Sequence, residues 1–240
     1  MSKVEKVTAK TILIHRILTF FKDKPKDSIA VIGISGGKDS TITAKLLVDA
    51  LGKDRVLGVL MPNGKGKQDS DAYKVVEYLG IKYKEIDISP MYNAYLDCFS
   101  VCSEQMLQNL APRLRMVMLY AIAQNLSTPA FVANTCNASE TFIGYSTKWG
   151  DNVGDFEVLS DMTVTEILKL GDKLGIPYEL VHKAPSDGLC GKTDEENLGV
   201  TYEAIDNYMK NRLDVLSDEE IEIISKKHKA NRHKLFYMEI

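Results

Sequence analysis

Short apolar runs alternate along the first half of the chain with longer segments whose apolar positions recur at helical spacing. The runs at residues 29–34, 56–61, 83–88 and 130–133 predict four strands. Their nearly continuous apolar character is that of strands buried on both faces of a parallel sheet. Helices are predicted over residues 5–21, 41–51, 69–79, 103–125 and 164–174, with Ile42, Leu46 and Leu47 near one face of the second. Gly52 and Gly80 stand where the second and third helices should stop. The alternation predicts an α/β fold, a single-domain parallel sheet with helices on both faces, closed by right-handed crossovers. The carboxyl third reads as mostly polar helix and loop, with 217–229 as a charged surface helix. No repeat or proline-rich linker divides residues 1–240, so one domain is expected.

Composition narrows the function classes. A chain of 240 residues that is 45% hydrophobic can bury one sizeable core. Its 30 basic and 33 acidic side chains are mixed throughout and leave a net charge of −3. That balance offers no basic stripe to nucleic acid or to an anionic membrane. The apolar run 12–21 is interrupted by His15 and Arg16, so neither a signal peptide nor a membrane span is expected. Cys98, Cys102, Cys136 and Cys190 are too few and too scattered for a disulfide framework, which fits a reducing cytoplasm. Cys98 and Cys102, four apart, would share a helix face. They read as a metal-binding or sulfur-carrying pair or, since no second pair completes a zinc site, as small buried apolar residues.

Chemistry enters where the first strand meets the second helix, at Ser35-Gly36-Gly37-Lys38-Asp39-Ser40. Two glycines permit a tight turn and close approach of a ligand, while the serines and the helix N–H groups face an anion. The spacing is not Gly-x-x-x-x-Gly-Lys-[Ser/Thr], because Gly33 precedes Gly37-Lys38 by one residue too few and Asp39 follows the lysine. Nor is it the Gly-x-Gly-x-x-Gly of dinucleotide folds. An acid inside a phosphate loop repels phosphate unless a divalent cation lies between them, and Mg²⁺ is held by one or two carboxylates plus phosphate oxygens. The bland alternative is a turn whose serine and aspartate cap the helix. Ligands in parallel sheets bind beyond the carboxyl ends of the strands where strand order reverses, so loops 35–40, 62–69 and 134–140 are expected to share one crevice. Loop 62–69 is glycine-rich and basic, either a nucleotide wall or a solvated loop.

The hexapeptide resembles the Ser-Gly-Gly-x-Asp-Ser pyrophosphate loop of N-type ATP pyrophosphatases. Later segments, in order and spacing, resemble the ammonia-dependent NAD synthetases over nearly the whole chain. Asn134-Thr135-Cys136-Asn137-Ala138-Ser139-Glu140 is similar to that family's Gly-Thr-x-Asn-x-x-Glu. Gly144-Tyr145-Ser146-Thr147-Lys148-Trp149-Gly150-Asp151, followed by Asp155, is similar to Gly-Phe-x-Thr-Lys-Tyr-Gly-Asp. Asn109-Leu110-Ala111-Pro112-Arg113-Leu114-Arg115-Met116, with Tyr120, resembles the family's substrate-facing helix. Ala184-Pro185-Ser186-Asp187-Gly188-Leu189, the stretch from Thr193 to Tyr202, and His233-Lys234 complete the series. Departures are Asn134 for glycine, Pro112 for alanine, Asn197 for an acid, and Val164 for a lysine whose triphosphate contact is then either absent or supplied by Lys169.

The resemblance implies an adenine nucleotide alpha hydrolase-like, Rossmann-like topology. It implies ATP-dependent amidation of deamido-NAD by ammonia, giving NAD, AMP and pyrophosphate through an adenylated nicotinate, in a cytoplasmic homodimer. ATP is then a co-substrate, held by Gly33, Ser35, Gly36, Gly37, Lys38, Asp39, Ser40, Thr135 and Ser186, and Mg²⁺ is ligated by Asp39 and Glu140. Asn137-x-x-Glu140 also reads as a helix capping box. Asp151 falls to the ammonia pocket as proton acceptor, Lys148 to phosphate oxygens or a developing oxyanion, and the Thr135 hydroxyl to the reacting groups. Deamido-NAD falls to Arg113, Tyr120, Lys148, Asp155, His233 and Lys234, the last two as part of a lid. Helix 103–125 is the expected dimer contact, and the length leaves no room for a glutaminase domain. Two alternatives remain: another N-type ATP pyrophosphatase, amidating a different acid or thiolating tRNA, and a nucleotide sensor without catalysis. The acidic balance weighs against the first, and the presence of Asp39, Glu140, Lys148 and Asp151 against the second.

Overall fold

A computed structural model describes residues 8–64, 70–182 and 193–235. The chain runs through α1 (Ala9–Phe21), β1 (Ile29–Gly33), α2 (Lys38–Leu51), β2 (Val56–Leu60), α3 (Asp71–Leu79), β3 (Lys82–Glu85), α4 (Ser89–Leu96), α5 (Glu104–Gln124) and β4 (Ala130–Asn134). It continues through α6 (Ala138–Ile143), β5 (Phe156–Glu157), α7 (Val164–Lys173), α8 (Tyr178–Val181), α9 (Asp194–Leu198), α10 (Tyr202–Met209) and α11 (Asp218–Asn231). The strands form one sheet in the order β3-β2-β1-β4-β5, and every described pairing is parallel.

Period-two alternation sorts the strand side chains between two layers. Ala30 and Ile32 of β1 join Val56 and Leu60 of β2 against α1, α2, α3 and α7. Val31, Leu57 and Val59 point the other way, onto Leu110, Leu114 and Ile122 of α5. Both faces are therefore covered, which is why the strands read as continuous apolar runs. No helix of the described residues is long and apolar enough to cross a membrane.

Several boundaries differ from the sequence reading. Helix α2 begins at Lys38 rather than residue 41, so Lys38, Asp39 and Ser40 form its first turn. Helix α1 is described from Ala9 and α3 from Asp71; residues 5–7 and 65–69 lie outside the described residues. Strand β3 ends at Glu85, although Ile86 and Ile88 still donate to the Leu60 and Pro62 carbonyls. Cys98 and Cys102 do not share a helix face: they lie in the turn between α4 and α5, Cys98 exposed and Cys102 half-buried. Local propensity gave no sign of β5, which is two residues long. Phe20 of α1 stacks on its Phe156 at 4.5 Å, and Asp155 donates its N–H to Val132 O while its carboxylate accepts Val132 N–H, both at 2.7 Å. Tertiary contact, not periodicity, makes this edge strand.

The carboxyl third, expected to be mostly polar, carries a core of its own. Ile143 of α6, Val164, Leu198, Tyr202, Ile205 and Ile224 pack together there. A buried carboxylate ties α10 to α6 and α7: Asp206 accepts Ser139 Oγ–H at 2.5 Å and Thr165 N–H at 2.9 Å, while Ser139 Oγ accepts Val164 N–H at 3.0 Å. Two otherwise orphaned amides at the start of α7 are thereby satisfied. Asp206→Ala strands the Ser139 hydroxyl and the Thr165 N–H, so the expected loss is about 2–4 kcal/mol, or roughly 5–15 °C in melting temperature. Denaturant unfolding checks it, and an unchanged midpoint would refute the role.

Candidate active site

Beyond the carboxyl end of β1 the chain turns through Ser35, Gly36 and Gly37 into α2. Gly36 has φ +81°, and a Cβ there would meet the Ala72 amide nitrogen of α3 at 2.7 Å. Only glycine fits both demands. The serines brace the turn. Gly37 N–H donates to Ser35 Oγ at 3.1 Å, Ser35 N–H to Ser40 Oγ at 3.3 Å, and Ser40 Oγ to Gly37 O at 3.1 Å. No side chain caps α2, so its first N–H groups remain for an anion, and the capping alternative for Ser40 and Asp39 fails.

The loop after β4 supplies the facing wall. Asn137 and Glu140 form a complete capping box at the start of α6. The Asn137 side-chain amide also reaches Asp39 Oδ1 at 3.3 Å, across the crevice. The two acids predicted as metal ligands thus meet at one residue, and Glu140 serves as cap and site residue together.

Lys38 lies at the base of this pair, 7% exposed, its Nζ 2.8 Å from Asp39 Oδ2 and 5.6 Å from the ring centre of Tyr202. Burial works against its ammonium, but Asp39, Glu140 and Asp194 outweigh that penalty and raise its pKa. One carboxylate at hydrogen-bond distance returns about 4–6 kcal/mol at an effective dielectric near 20, against several kcal/mol for desolvation. A single partner about breaks even; the other two acids decide the sign. Glu140 responds in the opposite sense, pushed up to about 8 by burial first and by Asp39 second, with Lys38 pulling it back. Tyr202, 3% exposed, has its phenol pushed up by burial and by the same three carboxylates.

A second constellation stands beside the first. Asp151 accepts Thr147 N–H at 2.7 Å, and its backbone carbonyl accepts the Cys136 thiol at 3.4 Å. Burial raises the Asp151 carboxyl, opposed by the Thr147 amide, its own amide, Lys234 and Arg115. Trp149, between Lys148 and Asp151, holds φ +62°, a conformation rare for a bulky residue and fixed by its N–H on Asn152 Oδ1 at 3.1 Å. Lys148 Nζ donates to His233 O at 2.5 Å, and Lys234 Nζ to Gly144 O at 2.8 Å. The turn 232–234 therefore straps the end of the chain onto the Gly144–Asp151 segment.

Most of the predicted residues converge. Gly33, Ser35, Gly36, Gly37, Lys38, Asp39 and Ser40 line one side, with half-buried Thr135 at the start of the β4 loop. Lys148, Asp151 and Lys234 form the other. Arg113 is exposed, its Nε on Lys148 O at 3.2 Å, and Tyr120 donates to Asp155 at 3.3 Å. The His233 ring nitrogen Nδ1 lies 3.0 Å from Ala230 O. Ser186 and most of loop 62–69 lie outside the described residues. Three residues were missed. Arg115, two positions from Arg113 and so on another helix face, is turned inward toward Asp151 with its Nε on Met61 O at 3.1 Å. Asp194 and Tyr202 lay within a quoted motif, but nothing local set them apart as partners of Lys38.

The family model described as NAD synthase matches residues 13–237. The NH(3)-dependent NAD(+) synthetase of Pyrococcus horikoshii is 40% identical over 212 residues, covering 87% of this chain and 81% of that one. The like-named protein of Pyrococcus furiosus is 37% identical over 236 residues, 92% of this chain and 91% of that one. Among solved structures, NMN synthetase from Francisella tularensis superimposes with a TM-score of 0.85 at 32% identity, over 97% of this chain and 96% of that one. NH3-dependent NAD synthetase from Campylobacter jejuni gives 0.80 at 26% identity, over 97% of each chain.

Glu140 generates a stability prediction for protein stripped of metal and nucleotide. Its carboxyl titrates near 4.5 in the unfolded chain and at about 8 in the fold. The folded state holds the extra proton between those values, so stability falls as pH rises through that window. Glu140→Gln should therefore raise the melting temperature more at about pH 8 than at about pH 5. Equal gains at the two pH values would refute the assignment.

Proposed function

The chain belongs to the NAD synthase family, and from that premise we propose that it joins ammonia to the nicotinate carboxylate of deamido-NAD while ATP is split to AMP and pyrophosphate. The observation that carries this reading is the meeting of the uncapped α2 N-terminus and the Asp39–Glu140 pair with the Asp151 wall in one crevice. A carboxylate does not expel oxide, so its oxygen first attacks the α-phosphorus of ATP and displaces pyrophosphate. Ammonia then attacks the acyl carbon, and AMP departs.

The phosphate loop binds and orients the triphosphate through Ser35, Gly37 and the α2 N–H groups. Mg²⁺ fits beside them by donor count and charge: two carboxylates suit an ion that takes its remaining oxygens from phosphate and water. Burial and the charge of Asp39 also lift Glu140, a strain that a divalent ion relieves. Asp39 and Glu140 would hold it, and its chemistry is neutralisation of phosphate charge. Asp151 accepts the proton that the attacking ammonia loses, and burial, by raising its pKa, makes it a stronger base than an ordinary carboxylate. Lys148 and Thr135 donate to the developing oxyanion. Arg113, Tyr120, Asp155 and the 233–234 strap receive the rest of the dinucleotide.

Nicotinate mononucleotide is a second acceptor to weigh, favoured by the 0.85 superposition on an NMN synthetase, since the same amidation makes NMN from it. Purified protein with Mg-ATP and ammonium, offered each acceptor in turn, should yield amide, AMP and pyrophosphate in equal amounts. A higher kcat/KM for the mononucleotide would reassign the substrate, and no AMP with either would sink the reading. Asp39→Asn should lower kcat at least about 10²-fold, the scale of losing one electrostatic contact to the transition state. Wild-type turnover in that variant would remove Asp39 from the site.

The protein is a homodimer in this reading, working in the reducing cytoplasm that the free Cys98, Cys102 and Cys136 fit. Val117, 54% exposed on α5, and Tyr95, Phe99 and Val101 on and after α4 are exposed apolar side chains available to a partner. Gel filtration should give twice 26.8 kDa, and Val117→Asp should shift the protein toward the monomer. A wild-type monomer at micromolar concentration would oppose it.

A further inference from the structure

We propose that Lys38 is the resident counter-cation of the Asp39–Glu140 pair, and that by holding that position it makes divalent metal binding conditional on ATP. The proposal rests on the metal reading of those two acids. Its ground is geometric. Lys38 is buried, so its stem is enclosed and its ammonium cannot retreat into solvent. The Nζ sits at hydrogen-bond distance from Asp39, over the ring of Tyr202. Carboxylates from three separate elements face it: Asp39 of α2, Glu140 of α6 and Asp194 of α9. The Tyr202 hydroxyl, buried at the same place, has no hydrogen-bond partner among the described residues. The pocket is thus built around a positive charge, and a lysine supplies it.

A metal ion approaching the nucleotide-free protein meets an ammonium already bound to its carboxylate, and like charges at that range repel. ATP alters the balance twice over. Its phosphates give the metal the oxygens that two carboxylates lack, and they add negative charge that accommodates both cations. Metal therefore arrives with the nucleotide, and free metal does not fill the phosphate loop unproductively. Lys38 acts in this as a positioning residue: it sets the order of arrival and performs no step on substrate.

Mn²⁺ binding followed by electron paramagnetic resonance tests this without turnover. Nucleotide-free Lys38→Met should bind Mn²⁺ at least about tenfold more tightly than wild type, from removal of one unit charge in contact with the site. Lys38→Arg, which keeps the charge, should bind as weakly as wild type, and Asp39→Asn added to Lys38→Met should abolish the gain. Equal affinities for wild type and Lys38→Met overturn the proposal. If Lys38→Met fails to fold by circular dichroism, wild type decides alone. Mn²⁺ binding that Asp39→Asn removes should then appear only with α,β-methylene-ATP, and its presence at equal strength without nucleotide overturns the proposal. No Asp39-dependent Mn²⁺ under any condition overturns it together with the metal assignment. Absence of amide formation by wild type would refute the proposed reaction and leave the Mn²⁺ comparison standing.

Discussion

The pairing of β1 directly with β4 is the constraint on which the molecule depends. The chain lays β2 and β3 to one side of β1, with α2 and α3 on one face of the sheet. It then returns to place β4 on the other side of β1, with α4 and α5 on the opposite face. A right-handed crossover that reverses direction must change face. The loops leaving β1 and β4 consequently part from each other, and the gap at their carboxyl ends is the crevice. Everything chemical follows from that gap: the uncapped start of α2 on one side, Asn137 and Glu140 on the other, and Asp39 between.

Charge within the gap is arranged by more than the residues that would touch a ligand. Lys38 tolerates burial because its neighbour Asp39 and two acids from distant parts of the chain, Glu140 and Asp194, offset the cost. Glu140 shows the converse, its proton held by burial and by Asp39. Asp194 of α9 adds to both environments, α10 packs onto α6, and Asp206 and Ser139 fasten that packing to the start of α7. The small third core, remote from the sheet in sequence, is therefore what positions the electrostatics of the first loop.

The sheet, its helices and the phosphate loop were legible because each has a local signature. A buried strand is a short apolar run, a long helix is periodic, and Gly36 sits where only glycine fits. Ordered motifs also brought Glu140, Lys148 and Asp151 to the site in advance. What stayed hidden was whatever long-range contact alone decides. Strand β5 exists because Phe20 and Val132 hold it. The inward turn of Arg115, rather than Arg113, depends on what the far side of α5 packs against. The Cys98–Cys102 spacing implied a helix face that the turn between α4 and α5 does not provide. Nor did the motif show that the His233 ring would meet the Ala230 carbonyl of α11.

The strap formed by residues 231–234 has a consequence for biogenesis. Asn231 fills the space above Gly144 so closely that a Cβ there would lie 2.2 Å from its own, and Lys234 and the His233 carbonyl complete the Gly144–Lys148 wall. Those contacts join points 85–90 residues apart, so each earlier partner is synthesised well before its later one. Domains fold as units during synthesis, from the amino end, at about 5–20 residues per second. The residues of the phosphate loop thus emerge from the ribosome early, while the wall bearing Asp151 stays unfinished until residues 231–234 have followed. A truncated or stalled chain holds a cradle for ATP with only half of the chamber in which to use it.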